Sequence, residues 1–149
     1  MPSKDDISLV AHLMRRAGFG QTRDEIERLA SEGYENTVER LLDPESQPDV
    51  DMYMMGRYHP WTDHPSSIDH HQSRWIYRMV MGKRPLQEKI VLFWHHVFAT
   101  GNAKVENIDE MATEIDLFRD HGMGNFQTLL ERLAKNPAMI RWLDNNENH

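Results

Sequence analysis

The chain has 149 residues, of which 39% are hydrophobic and 28% charged, a composition typical of a soluble globular protein with one hydrophobic core. Its net charge of −7, without a basic stripe, disfavours a nucleic-acid partner. The absence of cysteine excludes disulfides, iron–sulfur clusters and cysteine-based zinc sites.

The first part of the sequence predicts three short helices. Apolar residues recur at helical spacing over residues 5–16, and two glycines then break the pattern. Thr22 and Glu25 have the spacing of a capping box, which predicts a second helix that ends at Gly33. A third helix is predicted over residues 34–42, where an Asp-Pro pair stops it.

Residues 44–65 interrupt this helical pattern. Four of the seven prolines fall here, so the sequence predicts one long irregular loop. Tyr53, Tyr58 and Trp61 are large aromatic residues within it. They favour either a surface strap that packs against the body or a surface that binds a partner, because exposed aromatic residues mark interfaces.

The second part of the sequence predicts the remaining helices, over residues 67–81, 85–99, 104–121, 126–135 and 137–143. The helix predicted over residues 85–99 is the most hydrophobic, and apolar residues cover most of its circumference. A helix that is apolar nearly all round is normally buried. The sequence therefore predicts that the centre of this helix belongs to the core.

One face of the predicted helix over residues 104–121 is acidic. It lies beside an apolar stripe, and a solvated surface is the ordinary explanation of such a charge pattern. The acidic residues are Glu106, Asp109, Glu110, Glu114 and Asp116.

The fold class follows from these elements. No segment alternates in the manner of a β-strand, so the sequence predicts an all-α fold. We expect a single irregular domain over residues 1–149, with about seven or eight short helices and one long loop at 44–65. No apolar run is long enough to span a membrane and no signal peptide opens the chain, so we expect a cytoplasmic protein.

The nine histidines make a metal site the first hypothesis about chemistry, since neutral imidazole is the commonest metal ligand. His95 is the best candidate for a divalent-metal ligand, because Glu88 precedes it by about two helical turns on the same face. Glu88 would either orient the imidazole through a water molecule or share a larger site to which another helix contributes. His96 is less suited, because adjacent helical side chains point about 100° apart. The alternative is that His95 is a core histidine bonded to a carbonyl group.

The last residues hold a second group of potential ligands. Asp144, Asn145 and Asn148 offer oxygen atoms for a hard cation, although they lack the spacing of a calcium-binding loop. The alternative is a frayed terminus. The sequence contains neither a phosphate-binding glycine loop nor a Gly-x-Ser-x-Gly nucleophile elbow, and it predicts no particular reaction.

Short sequence blocks occur in a fixed order from the first helix to the last. They are His12-Leu13-Met14-Arg15-Arg16-Ala17-Gly18-Phe19-Gly20 with Thr22, Leu41-Leu42-Asp43-Pro44, Trp75 with Met79, Pro85-Leu86-Gln87-Glu88-Lys89, Leu92-Phe93-Trp94-His95, Phe98-Ala99-Thr100, Gly124-Asn125-Phe126, Leu129-Leu130, Pro137-Ala138-Met139 and Trp142-Leu143-Asp144-Asn145. In order and spacing, over nearly the whole chain, this series resembles a large bacterial family known as domain of unknown function 1800.

The resemblance implies a mostly helical fold and little chemistry. Members of the family continue beyond the block that ends at Asn145, so the resemblance implies that this chain is the N-terminal part of a longer protein. The family often has a second histidine two positions after the residue that matches His95, and Val97 stands there in this chain. Many relatives carry export signals and are encoded beside a sulfatase-like family.

Two functions are compatible with the sequence. In the first, Glu88, His95 and residues 144–148 contribute to a polar metal-binding or catalytic site that the chain's own C-terminal region completes. In the second, the chain is a non-enzymatic interaction module that docks a partner encoded nearby, through the aromatic residues at 53–61. Neither hypothesis involves nucleic acid or a membrane.

Overall fold

A computed structural model describes residues 1–58 and 67–147, and all regular structure within these ranges is helical. The predicted all-α class is confirmed. No helix in this part of the chain is long and apolar enough to cross a membrane. The described helices are α1 (Lys4–Arg16), α2 (Arg23–Glu32), α3 (Tyr34–Leu42), α4 (Met52–Tyr58), α5 (Ile68–Met81), α6 (Pro85–Phe98), α7 (Asn102–Val105), α8 (Ile108–His121), α9 (Phe126–Leu133) and α10 (Pro137–Trp142), with 3-10 turns at Pro44–Ser46 and Asn145–Glu147.

Short polar side chains fix the starts of several helices. Thr22 accepts a hydrogen bond from the amide of Glu25 at the start of α2, as the sequence predicts. Asn125 caps α9 in the same way. Asn136 accepts hydrogen bonds from two amides of α10, whose first residue is a proline. These local signals explain why most predicted helix boundaries agree with the structure.

Helix α4 lies inside the segment that the sequence predicts to be irregular. Oδ1 of Asp51 accepts hydrogen bonds from the amides of Tyr53 (2.9 Å) and Met54 (3.1 Å) and so satisfies two amides of the first turn. The four prolines of this segment all lie before or after α4, and none lies within it. The number of prolines alone did not reveal this distribution. Trp61 lies outside the described residues.

The helix predicted over residues 104–121 is divided in the structure. Glu106 adopts a left-handed backbone with a φ of 52° and ends α7. The side chain of Asn107 then accepts a hydrogen bond from the amide of Glu110 at 3.2 Å and caps α8. The left-handed residue therefore makes α8 begin later than the apolar periodicity predicts.

The described chain divides into two units, of which the first comprises Met1–Val50 and Arg78–Lys89. Two arginines of the segment Arg78–Lys89 bind the end of the segment Met1–Val50. Arg78 forms an ion pair with Asp49 at 2.6 Å, and Arg84 donates hydrogen bonds to the carbonyl oxygen of Gln47. Helices α1, α2 and α3 surround the core of this unit, whose buried residues are Val10, Met14, Leu29, Ala30 and Leu41.

The second unit comprises Asp51–Tyr77 and Ile90–His149. Trp94 is anchored in it, because its Nε1 donates a hydrogen bond to the carbonyl oxygen of Gly122 at 2.8 Å. The buried core residues of this unit are Val91, Phe118, Leu129, Leu133 and Met139. Each unit thus has a core of its own, and the single domain expected over residues 1–149 stays a prediction.

Candidate functional site

Helix α6 carries both residues of the predicted metal site. Glu88 lies in its first turn and is buried in the first unit. His95 belongs to the second unit, where its ring meets the ring of Trp75 edge-on with 5.5 Å between the centroids.

The ring of His95 is half-buried, and its Nδ1 has no hydrogen-bond partner among the described residues. Burial lowers the pKa of His95, because desolvation disfavours the charged imidazolium. The ring is therefore neutral at neutral pH, which is the form that binds metal ions. The alternative for this residue was a core histidine bonded to a carbonyl group. Nδ1 forms no such hydrogen bond with the described part of the chain.

Within residues 1–58 and 67–147, no group of three or more histidine, aspartate or glutamate side chains is arranged to hold a metal ion. The metal site at Glu88 and His95 stays a prediction.

The oxygen ligands predicted at the end of the chain are described in part. Asp144 forms an ion pair with Lys104, with 2.7 Å between the carboxylate and Nζ. The same ammonium donates a hydrogen bond to the carbonyl oxygen of Trp142. Asn145 lies in an exposed 3-10 turn, and Asn148 lies outside the described residues. Because Lys104 already neutralises the Asp144 carboxylate, this segment attracts a further cation only weakly.

Glu114 departs from the solvated acidic face predicted for α8. Its side chain is fully buried, its Oε1 accepts a hydrogen bond from Oγ1 of Thr100, and its Oε2 has no hydrogen-bond partner in the described residues. Glu110, one turn earlier, forms an ion pair with Arg141 at 2.7 Å. The prediction is wrong at these two positions because α7 and α10 pack against this side of α8.

Helix α6 is also less buried than its sequence predicts. Val91 is fully buried, but the exposed fractions of Leu92, Phe93 and Val97 are 39%, 51% and 48%. The second unit packs against only one side of this helix, and the periodicity of the sequence does not show which apolar residues that packing will cover. The prediction that the centre of α6 belongs to the core is therefore wrong for Leu92, Phe93 and Val97.

Two exposed residues of α9 extend the apolar surface of α6. Phe93 meets the ring of Trp94 edge-on at 4.9 Å, and Trp94 in turn stacks on Phe126 at 5.6 Å. Leu130 follows Phe126 by one helical turn and is also exposed. We call this surface the α6–α9 apolar face; its members are Phe93, Val97, Phe126 and Leu130.

Two of the sequence blocks that carry the family resemblance contact each other in the first unit. A Cβ atom built on Gly18 would lie 2.9 Å from the Cβ of Pro85, so only glycine permits this approach. Next to it, Nζ of Lys89 lies 4.5 Å from the ring centroid of Phe19, a cation–π contact. The loop after α1 and the first turn of α6 are thus fitted to each other.

One family model accounts for most of the chain. The model described as a protein of unknown function (DUF1800) matches residues 12–149. The chain belongs to this family. No curated protein and no solved structure matches it. Because the DUF1800 description assigns no activity, the function of this DUF1800 chain has to be argued from its own residues.

The buried pair of Thr100 and Glu114 was not among the predicted site residues. The two residues belong to different elements, so no local spacing joins them. One signal was present, however: Glu114 precedes the buried Phe118 by four residues and therefore lies on the apolar stripe of α8.

Proposed function

We propose that the second unit of this DUF1800 protein is a docking module, which binds an apolar protein surface through the α6–α9 apolar face. The observation that carries this proposal is the exposure of about half of Phe93 and Val97 on the most hydrophobic helix of the chain. Contiguous exposed apolar patches on soluble proteins commonly mark interaction sites.

The aromatic content of the face supports this function. Phe93 and Phe126 both contact Trp94, whose ring is held by its hydrogen bond to Gly122. Aromatic side chains dominate binding energy at protein interfaces. Rings that are already fixed by packing lose little conformational entropy on binding, which favours affinity.

The partner surface that fits this face is an amphipathic helix. Residues Phe93 and Val97 lie one turn apart on α6, and Phe126 and Leu130 lie one turn apart on α9. A partner helix with apolar residues three and four positions apart would pack them against the surface that these two rows and Trp94 form. We expect this helix to belong to a protein partner.

A photocross-linking experiment tests the docking function. The photoreactive residue p-benzoylphenylalanine replaces Val97 in one variant and Val80, an exposed valine outside the face, in the matched control. In the organism that encodes the protein, we expect one discrete cross-linked protein from position 97 and none from position 80. Adding Leu130→Lys should abolish the cross-link, because it places a charge in the apolar interface.

Equal cross-linking from both positions, or a cross-link that survives Leu130→Lys, would contradict the docking proposal. Mass spectrometry of the adduct identifies the occupant of the face. Peptides of a second protein are expected, and peptides of this same polypeptide would instead assign the face to contacts within the chain.

A divalent-metal role for His95 is the second candidate that we propose. The half-buried, neutral imidazole favours it, because its Nδ1 is buried without a hydrogen-bond partner and buried polar atoms usually have one. Elemental analysis of the purified protein tests this role, with the exposed neighbour His96 as a matched control. Metal should be present in the wild type and His96→Ala and absent from His95→Ala, whereas negligible metal in all three proteins would exclude the site.

A further inference from the structure

The first unit contains an open cleft of about 410 Å³, lined by residues of α2 and α3, of the 3-10 turn region after α3 and of the loop before α6. This volume suits a small organic molecule, since ligand pockets are commonly of a few hundred cubic ångströms. One part of the wall is apolar. Its floor is formed by the buried core residues Met14, Leu29 and Leu41, and Pro48 and Pro85 provide the accessible apolar surface.

The polar part of the wall is mostly cationic. Arg28, Arg40 and Lys83 line the cleft together with one carboxylate, that of Glu25. Glu32, just outside the lining, pairs with both arginines, so three cations face two carboxylates and the region has a net charge of +1, although the whole chain has a net charge of −7. A basic cleft in an acidic protein attracts anions and disfavours cations.

Arg28 and Glu25 neutralise each other inside the cleft. Nε and Nη2 of Arg28 donate to the two carboxylate oxygens of Glu25 at 2.8 and 2.7 Å. This hydrogen bonding is the main reason why the pKa of Glu25 is lowered, and the charges of Lys83 and Arg40 lower it further. The charges of Arg28, Arg40 and Lys83 therefore all act on the same carboxylate, that of Glu25.

Arg40 and Lys83 retain donors for a ligand. Arg40 uses only Nη1, which donates to Glu32 at 2.9 Å. Lys83 has no ion pair or hydrogen bond with a side chain in the part of the chain that the structure describes. Because a guanidinium carries five N–H groups and an ammonium three, most of these donors lack a protein acceptor.

We propose that this cleft binds a small organic anion, whose carboxylate or phosphate group is held by Arg40 and Lys83 and whose apolar part contacts Pro48 and Pro85. The site is independent of the α6–α9 apolar face, which belongs to the other unit. An apolar molecule without an anionic group would leave the Lys83 ammonium without an anionic partner, and a bare inorganic anion would leave the two prolines of the apolar wall uncovered.

Titrations of the ¹⁵N-labelled protein monitored by NMR test this site, with phenyl phosphate, benzoate and inorganic phosphate as probes. For at least one of the two aromatic anions we expect saturable shifts of the amides of Gln21, Gly82 and Lys83. Preference for phenyl phosphate or for benzoate distinguishes a phosphate ligand from a carboxylate ligand. Inorganic phosphate should bind at least about tenfold more weakly than phenyl phosphate, because it gains nothing from the apolar wall.

The double variant Arg40→Gln, Lys83→Gln should weaken binding at least about tenfold, because it removes the charge-assisted hydrogen bonds to the anion. The control Lys4→Gln, Arg15→Gln removes the same charge from exposed positions outside the cleft and should leave the affinity unchanged. Absence of saturable shifts with both aromatic anions in the wild type would overturn the proposal. So would equal affinities of the double variant and the wild type.

Discussion

Thr100 donates a hydrogen bond from its Oγ1 to Oε1 of Glu114 inside the second unit, where the glutamate side chain has no exposed surface. A buried carboxylate is costly unless it is protonated or paired with a cation. Burial raises the pKa of Glu114 above its ordinary value of 4.5, while the hydrogen bond from Thr100 lowers it by less. Folding therefore favours the protonated form of Glu114.

The first prediction concerns the pH dependence of stability. Because the pKa of Glu114 is higher in the folded than in the unfolded protein, its stabilising contribution is complete below pH 4.5 and is lost as the pH rises through the raised pKa. Glu114→Gln still accepts the hydrogen bond from Thr100 but does not titrate. The free energy of unfolding of the wild type, minus that of Glu114→Gln, should therefore decrease between about pH 4 and about pH 7. Urea unfolding of both proteins at several pH values measures this difference in the free energy of unfolding. A difference that stays constant or increases with pH would show that Glu114 is not buried as described.

The second prediction concerns the contact of Gly18 with Pro85. Gly18→Ala should lower the free energy of unfolding by about 1–3 kcal/mol, because its methyl group would overlap the proline ring. Gly101→Ala is the matched control, since the nearest atom to its added Cβ would be a side-chain carbon of Trp142 in ordinary contact at 3.4 Å. It should change the stability by less than about 1 kcal/mol. Equal losses for the two variants in urea unfolding would argue against the close approach at Gly18.

The third prediction concerns the left-handed residue that separates α7 from α8. Glu106→Gly should stabilise the protein by about 0.5 kcal/mol, because relief of the left-handed strain exceeds the entropic cost of glycine. Asp109→Gly, inside the first turn of α8, should instead destabilise it by about 1 kcal/mol. Thermal unfolding compares the two variants, and a destabilising Glu106→Gly would support the continuous helix that the apolar periodicity predicts.

Local sequence signals were sufficient to predict most of the helices. Capping residues such as Thr22, Asn125 and Asn136 act over three or four positions, and each of the three caps a helix in the structure. The short helix α4 was missed because its cap, Asp51, lies among prolines that dominate the composition of the segment.

Burial and site geometry could not be predicted in the same way, because they depend on residues far apart in sequence. The apolar circumference of α6 shows which residues favour burial, but the packing of α8 and α9 decides that Val91 is covered and Val97 is not. The cations of the cleft in the first unit, Arg28, Arg40 and Lys83, come from three separate segments. No spacing in the sequence brings these three residues together.

Thiol labelling of α6 tests the central claim, that the α6–α9 apolar face is open to a partner. The chain has no cysteine, so Val97→Cys and Val91→Cys each provide a single thiol on the same helix. In the purified protein at low concentration, Val97→Cys should react with a maleimide at least about 100-fold faster than Val91→Cys, because a buried thiol reacts only after local opening. Equally slow labelling of both thiols would mean that the face is covered within the chain itself, and it would contradict the docking function.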